Sequence, residues 1–216
     1  MLQFITKASQ RFSASEEAQM AIEGGCRWIQ LSAEGLADNE DSLNDVAKEI
    51  IPLCQENEAF LVIEDDVDMV EALKVHGVFL RDNSRSTVMA ARERLGAHAV
   101  LGVYAATADE VLALKGLDVD YVAVPFPADE GRDDIAGHYA RFLSDIRGAG
   151  VDFHLVALGD FSLAEIPALI AAGCAGIAMS GAIADADNPS EATAMILGVL
   201  DKARYGNEAD ADSVTL

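Results

Sequence analysis

Apolar residues along this chain come in short unbroken runs separated by amphipathic stretches. The runs occupy positions 4–5, 28–31, 60–63, 77–80, 99–103, 121–124, 153–157 and 176–179. Each has the length of one strand and lacks the polar alternation of a half-exposed sheet, as expected when both faces of a parallel strand are covered. Segments 15–23, 43–54, 67–75, 87–95, 109–114, 139–147, 163–172 and 191–203 lie between or after them and carry helical spacing. Joints such as His76-Gly77 and Gly148-Ala149-Gly150 fit helix C-termini feeding the next strand, where glycine supplies left-handed backbone. The rhythm predicts an α/β fold, a single (β/α)8 TIM barrel over residues 1–205, followed by an acidic disordered tail over 206–216. The segment after the first run, Thr6-Lys7-Ala8-Ser9-Gln10, lacks the glycine-rich turn of an open dinucleotide-binding sheet.

Charge narrows the choice of partners. Against 15 Lys and Arg stand 37 Asp and Glu, a formal net charge of -22, which repels nucleic acid and anionic membrane surfaces. Neither is expected as a partner. The cysteines, Cys26, Cys54 and Cys174, are odd in number and widely spaced, so they suggest reduced thiols rather than a disulfide framework or a zinc site. The apolar run after Met1 is too short for a secretory signal, and no later run is long enough to span a bilayer. The expected setting is the cytoplasm. A homo-oligomer is compatible with everything in the sequence.

Barrels carry their functional groups at the C-terminal ends of the strands. That rule selects Thr6 and Lys7, Gln30 and Ser32, Glu64 with Asp65 and Asp66, Arg81 to Ser84, Tyr104, Phe126, Gly159 with Asp160, and Ser180 with Gly181. Adjacent carboxylates at 64–66 offer oxygen ligands for Mg²⁺, with Asp82 as a further donor; alternatively one caps the next helix and another pairs with Arg81. Gly159, Ser180 and Gly181 sit where barrels bind a phosphate through backbone N–H groups, although tight turns alone would also require them. Asp160 within that site opposes an anion unless it turns outward. Gln30 could orient a heterocycle or simply bond a neighbouring loop. Lys7 and Arg81 are the cations best placed to meet an anionic ligand, or else serve neighbouring acids and solvent. His76, His98, His138 and His154 have no metal-ligand spacing.

The motifs Val62-Ile63-Glu64-Asp65-Asp66-Val67-Asp68, Gly77-Val78-Phe79-Leu80 and Gly102-Val103-Tyr104-Ala105-Ala106-Thr107 resemble the central motifs of thiamin phosphate synthases. Tyr121-Val122-Ala123-Val124, Val156-Ala157-Leu158-Gly159 and the stretch from Ala172 to Ile183 continue that order at similar spacing, and the related thiazole tautomerases share it. The resemblance implies a barrel that joins a pyrimidine methyl diphosphate to a thiazole phosphate, with Mg²⁺ on the diphosphate and release of pyrophosphate. It also implies Asp65 as metal ligand, Gln30 as pyrimidine contact and Ser180 with Gly181 as phosphate turn, with Glu64 and Gly159 beside them.

The chain departs from the family's pattern at several of these positions. Gln30-Leu31-Ser32-Ala33-Glu34 stands where the family has Gln-Leu-Arg and a Lys two residues on, and Glu64 replaces Asn. Ser84 aligns with a second metal-binding Asp, Tyr104 with a Ser, and Ala128-Asp129-Glu130-Gly131 with a Thr-x-Thr-Lys phosphate loop. Asp160 replaces the second Gly of a Gly-Gly pair, and Gly181 replaces the Ser of the phosphate turn. Three readings follow: a weak or altered transferase on a small phosphorylated molecule, a noncatalytic binding or regulatory protein on the same barrel, and a tautomerase-like isomerase. The last lacks a well-placed His.

Overall fold

The structure, a computed structural model, describes residues 1–34, 36, 43–127 and 131–211, with 207–211 as backbone only. Eight strands, β1 (Leu2–Ile5), β2 (Trp28–Leu31), β3 (Phe60–Glu64), β4 (Gly77–Leu80), β5 (Val100–Tyr104), β6 (Tyr121–Pro125), β7 (His154–Leu158) and β8 (Gly176–Met179), form one closed parallel barrel in sequence order. Closure is made by β1 lying on β8, with Leu2 opposite Ile177, Gln3 opposite Ala178 and Phe4 opposite Met179.

Helices wrap the outside: α1 (Ala14–Glu23), α2 (Leu43–Glu56), α3 (Val67–Leu73), α4 (Arg85–Leu95), α5 (Ala108–Ala113), α6 (Ile135–Gly148), α7 (Ile166–Ala172), the short α8 (Gly181–Ala184) and α9 (Pro189–Ala211). Their starts follow local side-chain chemistry. Ser13 and Glu16 form a reciprocal capping box on α1, and Asp66, Ser84, Thr107 and Asp134 cap α3, α4, α5 and α6. The acidic stretch expected as a disordered tail from Gly206 is continuous with α9 as far as Ala211, and the remainder lies outside the described residues.

Most of the apolar core lies between strands and helices, where Ile29, Leu31, Leu61, Ile63, Leu101, Val103, Leu155 and Ile177 face Ala18, Ile50, Leu143 and Ile166. A second, smaller cluster fills the barrel itself: Val62, Phe79, Tyr121, Ala123, Val156 and Ala178. The Tyr121 ring crosses this interior because β5 offers Gly102 beside it; a Cβ at 102 would lie 2.2 Å from the ring. Polar side chains share the space. Gln3 Nε2 donates to Gln30 Oε1 at 2.8 Å and to the Tyr121 hydroxyl at 2.9 Å, and Gln30 Nε2 donates to Glu64 Oε2 at 2.7 Å. This amide ladder runs from the middle of the barrel to its C-terminal mouth; it engages both ends of the Gln30 amide and the Nε2 of Gln3, while Gln3 Oε1 is buried without a hydrogen-bond partner among the described residues.

Candidate active site at the C-terminal mouth

The loops after the strands bring the candidate residues to one end of the barrel, where they fall into two groups. Around β2, β3 and β4, Gln30 is buried with both ends of its amide engaged, by Gln3 on one side and Glu64 on the other. Glu64 Oε1 lies 3.5 Å from the Arg81 guanidinium, which stands 5.7 Å from the centre of the Tyr104 ring. Asp65 has a positive φ of 56°, and its Oδ1 accepts the Arg81 backbone N–H at 2.7 Å. Asp66 caps α3 through Met69 N–H, and Asp82 is held by the hydroxyls of Ser84 and Thr87 and the Ser84 N–H. The four carboxylates that could have converged on one ion, Glu64, Asp65, Asp66 and Asp82, therefore turn to other partners. Among the described residues no group of three or more His, Cys, Asp or Glu is placed to hold a metal.

Around β6, β7 and β8 the arrangement is different. Gly159 has a φ of 149°, which a side chain would strain, and it turns the chain so that Asp160 faces the start of α8. There Asp160 Oδ1 accepts from Ser180 N at 3.2 Å and from Ala182 N at 2.9 Å. Of the turn expected to hold a phosphate at Ser180 and Gly181, the Ser180 amide holds the protein's own carboxylate, and its companion is the amide of Ala182 rather than that of Gly181. A Cβ at position 181 would lie 2.6 Å from Asp160 Oδ2. The two departures, Asp for Gly at 160 and Gly for Ser at 181, are sterically matched: the missing side chain at 181 is the room the carboxylate occupies. Asp160 turns inward rather than outward.

The cations at this mouth are paired as well. Lys7 contacts Asp185 directly, across the gap between the β1 and β8 loops. The β1 loop is held by the buried carboxylate of Glu17 on α1, which accepts from the backbone N–H of Lys7, Ala8 and Ser9 at 3.0, 3.3 and 2.7 Å. Sequence reasoning missed Arg132, which follows the loop residues 128–130 that lie outside the described residues. Its guanidinium binds both oxygens of Glu165 at 3.0 and 2.9 Å, donates to the Asp160 carbonyl at 3.1 Å and lies over the rings of Phe126 and Phe161. Arg132 holds the Glu165 carboxyl down to about 2, well below its ordinary range, with help from Ser162. The signal for Arg132 was its place after the sixth run, directly following the stretch that replaces the family's phosphate loop.

Known proteins resemble the chain in sequence and in fold. The profile described as thiamine monophosphate synthase matches residues 2–183. Thiamine-phosphate synthases of Bacteroides fragilis and Bacteroides thetaiotaomicron are 34% identical over 204 residues, covering 92% of this chain and 98% and 96% of theirs. A thiamine phosphate pyrophosphorylase from Pyrococcus furiosus superposes with a TM-score of 0.76 at 22% identity, covering 94% of this chain and 96% of that one. A native KDPGal structure superposes at 0.68 with 15% identity, a likeness of fold alone.

Proposed function

The chain belongs to the thiamine monophosphate synthase family, and from that premise we propose that it is an altered transferase of thiamine biosynthesis acting on small phosphorylated substrates. The reaction the family resemblance implies breaks the bond between a pyrimidine methyl carbon and a diphosphate oxygen. It forms a bond from that carbon to a thiazole nitrogen and releases pyrophosphate.

The observation that carries this reading is the pair of amides at Ser180 and Ala182 with an oxyanion already seated on them, 3.2 and 2.9 Å away. Backbone donors bind an anion whatever its source, so the thiazole phosphate would take the place of the Asp160 carboxylate. Arg132, on the adjacent carbonyl, would supply the positive charge on the β6 side. Gln30, fixed by Gln3, would present its remaining lone pair and N–H to the pyrimidine edge. Arg81 would have to leave Glu64 to meet the diphosphate, as Lys7 would have to leave Asp185.

As a metal site, Asp65 fits only in part. It supplies one exposed carboxylate, with Oδ1 already accepting from Arg81 N–H. That suits a Mg²⁺ ion whose other ligands come from a diphosphate and water, and such an ion would neutralise charge on the leaving group. Displacement of two ion pairs and one carboxylate costs binding energy that an unencumbered site keeps. Turnover slower than that of the Bacteroides relatives follows.

The test mixes the purified protein with pyrimidine methyl diphosphate, thiazole phosphate and Mg²⁺, follows pyrophosphate and thiamine phosphate, and measures thiazole phosphate binding by calorimetry. Slow formation of both products with measurable binding supports the transferase. Binding without either product favours the noncatalytic reading, to which the complete mutual pairing of Lys7, Arg81 and Arg132 with acids points. Absence of binding overturns both.

A further inference from the structure

At the opposite end of the barrel, where the strands begin, a pocket of about 500 Å³ opens among Trp28, Phe60, Tyr121, His154, Val156 and Arg204. N-terminal mouths of such barrels are ordinarily a place of packing rather than chemistry. Here the wall is aromatic and two-sided. Trp28 stacks on Phe60 at 5.4 Å and meets Tyr121 edge-on at 5.5 Å with their planes 87° apart. A flat ring entering this corner finds an aromatic face on one side and an edge on the other, the two arrangements aromatic pairs prefer. Phe60 is 43% exposed, an unusual position for so large an apolar side chain.

The polar lining narrows the ligand further. The indole N–H of Trp28 is buried in the wall on the Tyr121 side, out of reach of the cavity, so the pocket presents the faces of its rings. Arg204, reaching in from α9, donates to the Ala175 carbonyl at the pocket's edge and leaves the rest of its guanidinium fork available to the cavity. Asp120, the acid of the lining, is bound by Arg92 at 2.7 Å and accepts from Leu101 N at 2.7 Å, so its charge is answered from outside the pocket. On a chain of net charge -22, a cation beside three rings favours one kind of occupant.

We infer that this mouth is a second binding site, separate from the C-terminal one, for a small planar aromatic acid. Its ring lies in the Trp28 and Tyr121 corner, and its carboxylate accepts from Arg204.

Trp28 is the chain's single tryptophan, so its fluorescence reports on this pocket alone. The probe is 4-nitrobenzoate, which is flat, anionic and quenches indole emission; 4-nitrobenzyl alcohol and cyclohexanecarboxylate separate the contributions of charge and ring. Saturable quenching by 4-nitrobenzoate is expected, about tenfold weaker with either control and about tenfold weaker in Phe60→Ala or Arg204→Gln. Arg81→Ala, at the other mouth, leaves the affinity unchanged. Circular dichroism confirms that the variants are folded. Linear quenching without saturation, or saturation indifferent to both Phe60→Ala and Arg204→Gln, overturns the inference. So does sedimentation showing a dimer that dissociates in Phe60→Ala, because a second copy of the chain would then be what covers the aromatic wall.

Discussion

Asp160 and Gly181 show how two single-residue departures become one feature. The carboxylate seated on Ser180 N and Ala182 N is an anion tethered to the cradle, competing with any phosphate at high effective concentration. Removing it exposes two N–H donors and deletes a negative charge from the site. Asp160→Gly is therefore expected to tighten thiazole phosphate or inorganic phosphate binding by about tenfold, the equivalent of one charge-assisted hydrogen bond. Calorimetry checks this. Gly181→Ser should act in the same direction through sterics, since its Cβ would sit 2.6 Å from Asp160 Oδ2 and push the carboxylate off the amides. The double variant should bind no tighter than the better single one, because both remove the same competitor. Unchanged phosphate affinity in Asp160→Gly would mean that the amides at 180 and 182 are not where phosphate binds.

Between elements, the Arg132 and Glu165 clip ties the turn before α6 to the start of α7 and frames the phosphate side of the mouth. The Glu165 carboxyl ionises at about 2 in the folded chain against an ordinary 4.5. A depressed carboxyl stabilises the fold fully above its unfolded value and loses that contribution as pH falls through the folded one. The stability gap between the native protein and Glu165→Gln should thus be widest above pH 4.5, about 1–2 kcal/mol after screening, and close as pH approaches 2. Urea unfolding at a series of pH values measures it. A gap independent of pH would show that the clip is not ionic.

The elements themselves were legible in the chain. Runs at 28–31, 77–80 and 176–179 coincide with β2, β4 and β8, because buried parallel strands are written as unbroken apolar residues. β3 ends one residue later, at Glu64, whose polarity ended the apolar run while its backbone kept the ladder. α6 begins at Ile135, earlier than its periodicity shows, since Ala136 and Gly137 dilute the apolar face. The site was legible only as a set of positions. Its pairings, Asp160 with the amides at 180 and 182, Lys7 with Asp185 and Arg132 with Glu165, join residues from different loops, and no local pattern encodes them.

At the scale of the whole molecule, the packing of the helices on the sheet shields the thiols. Cys26, Cys54 and Cys174 are all buried, and burial raises each thiol, Cys54 and Cys174 to about 12. Thiolate is the reactive form, so iodoacetamide at pH 8 should leave the native protein unlabelled and modify all three sites once the fold opens. Intact mass against denaturant concentration reads this out, and labelling should track the loss of helical circular dichroism. Rapid labelling of any one cysteine under native conditions would identify a region that opens on its own.

The seam between Leu2–Ile5 and Gly176–Met179 has a consequence for biogenesis. As the polypeptide leaves the ribosome, one flank of the first strand must wait for the eighth to be translated before it finds its mate. Until then the nascent chain exposes a sticky, unsatisfied border, and this is the interval in which a chaperone has most to do.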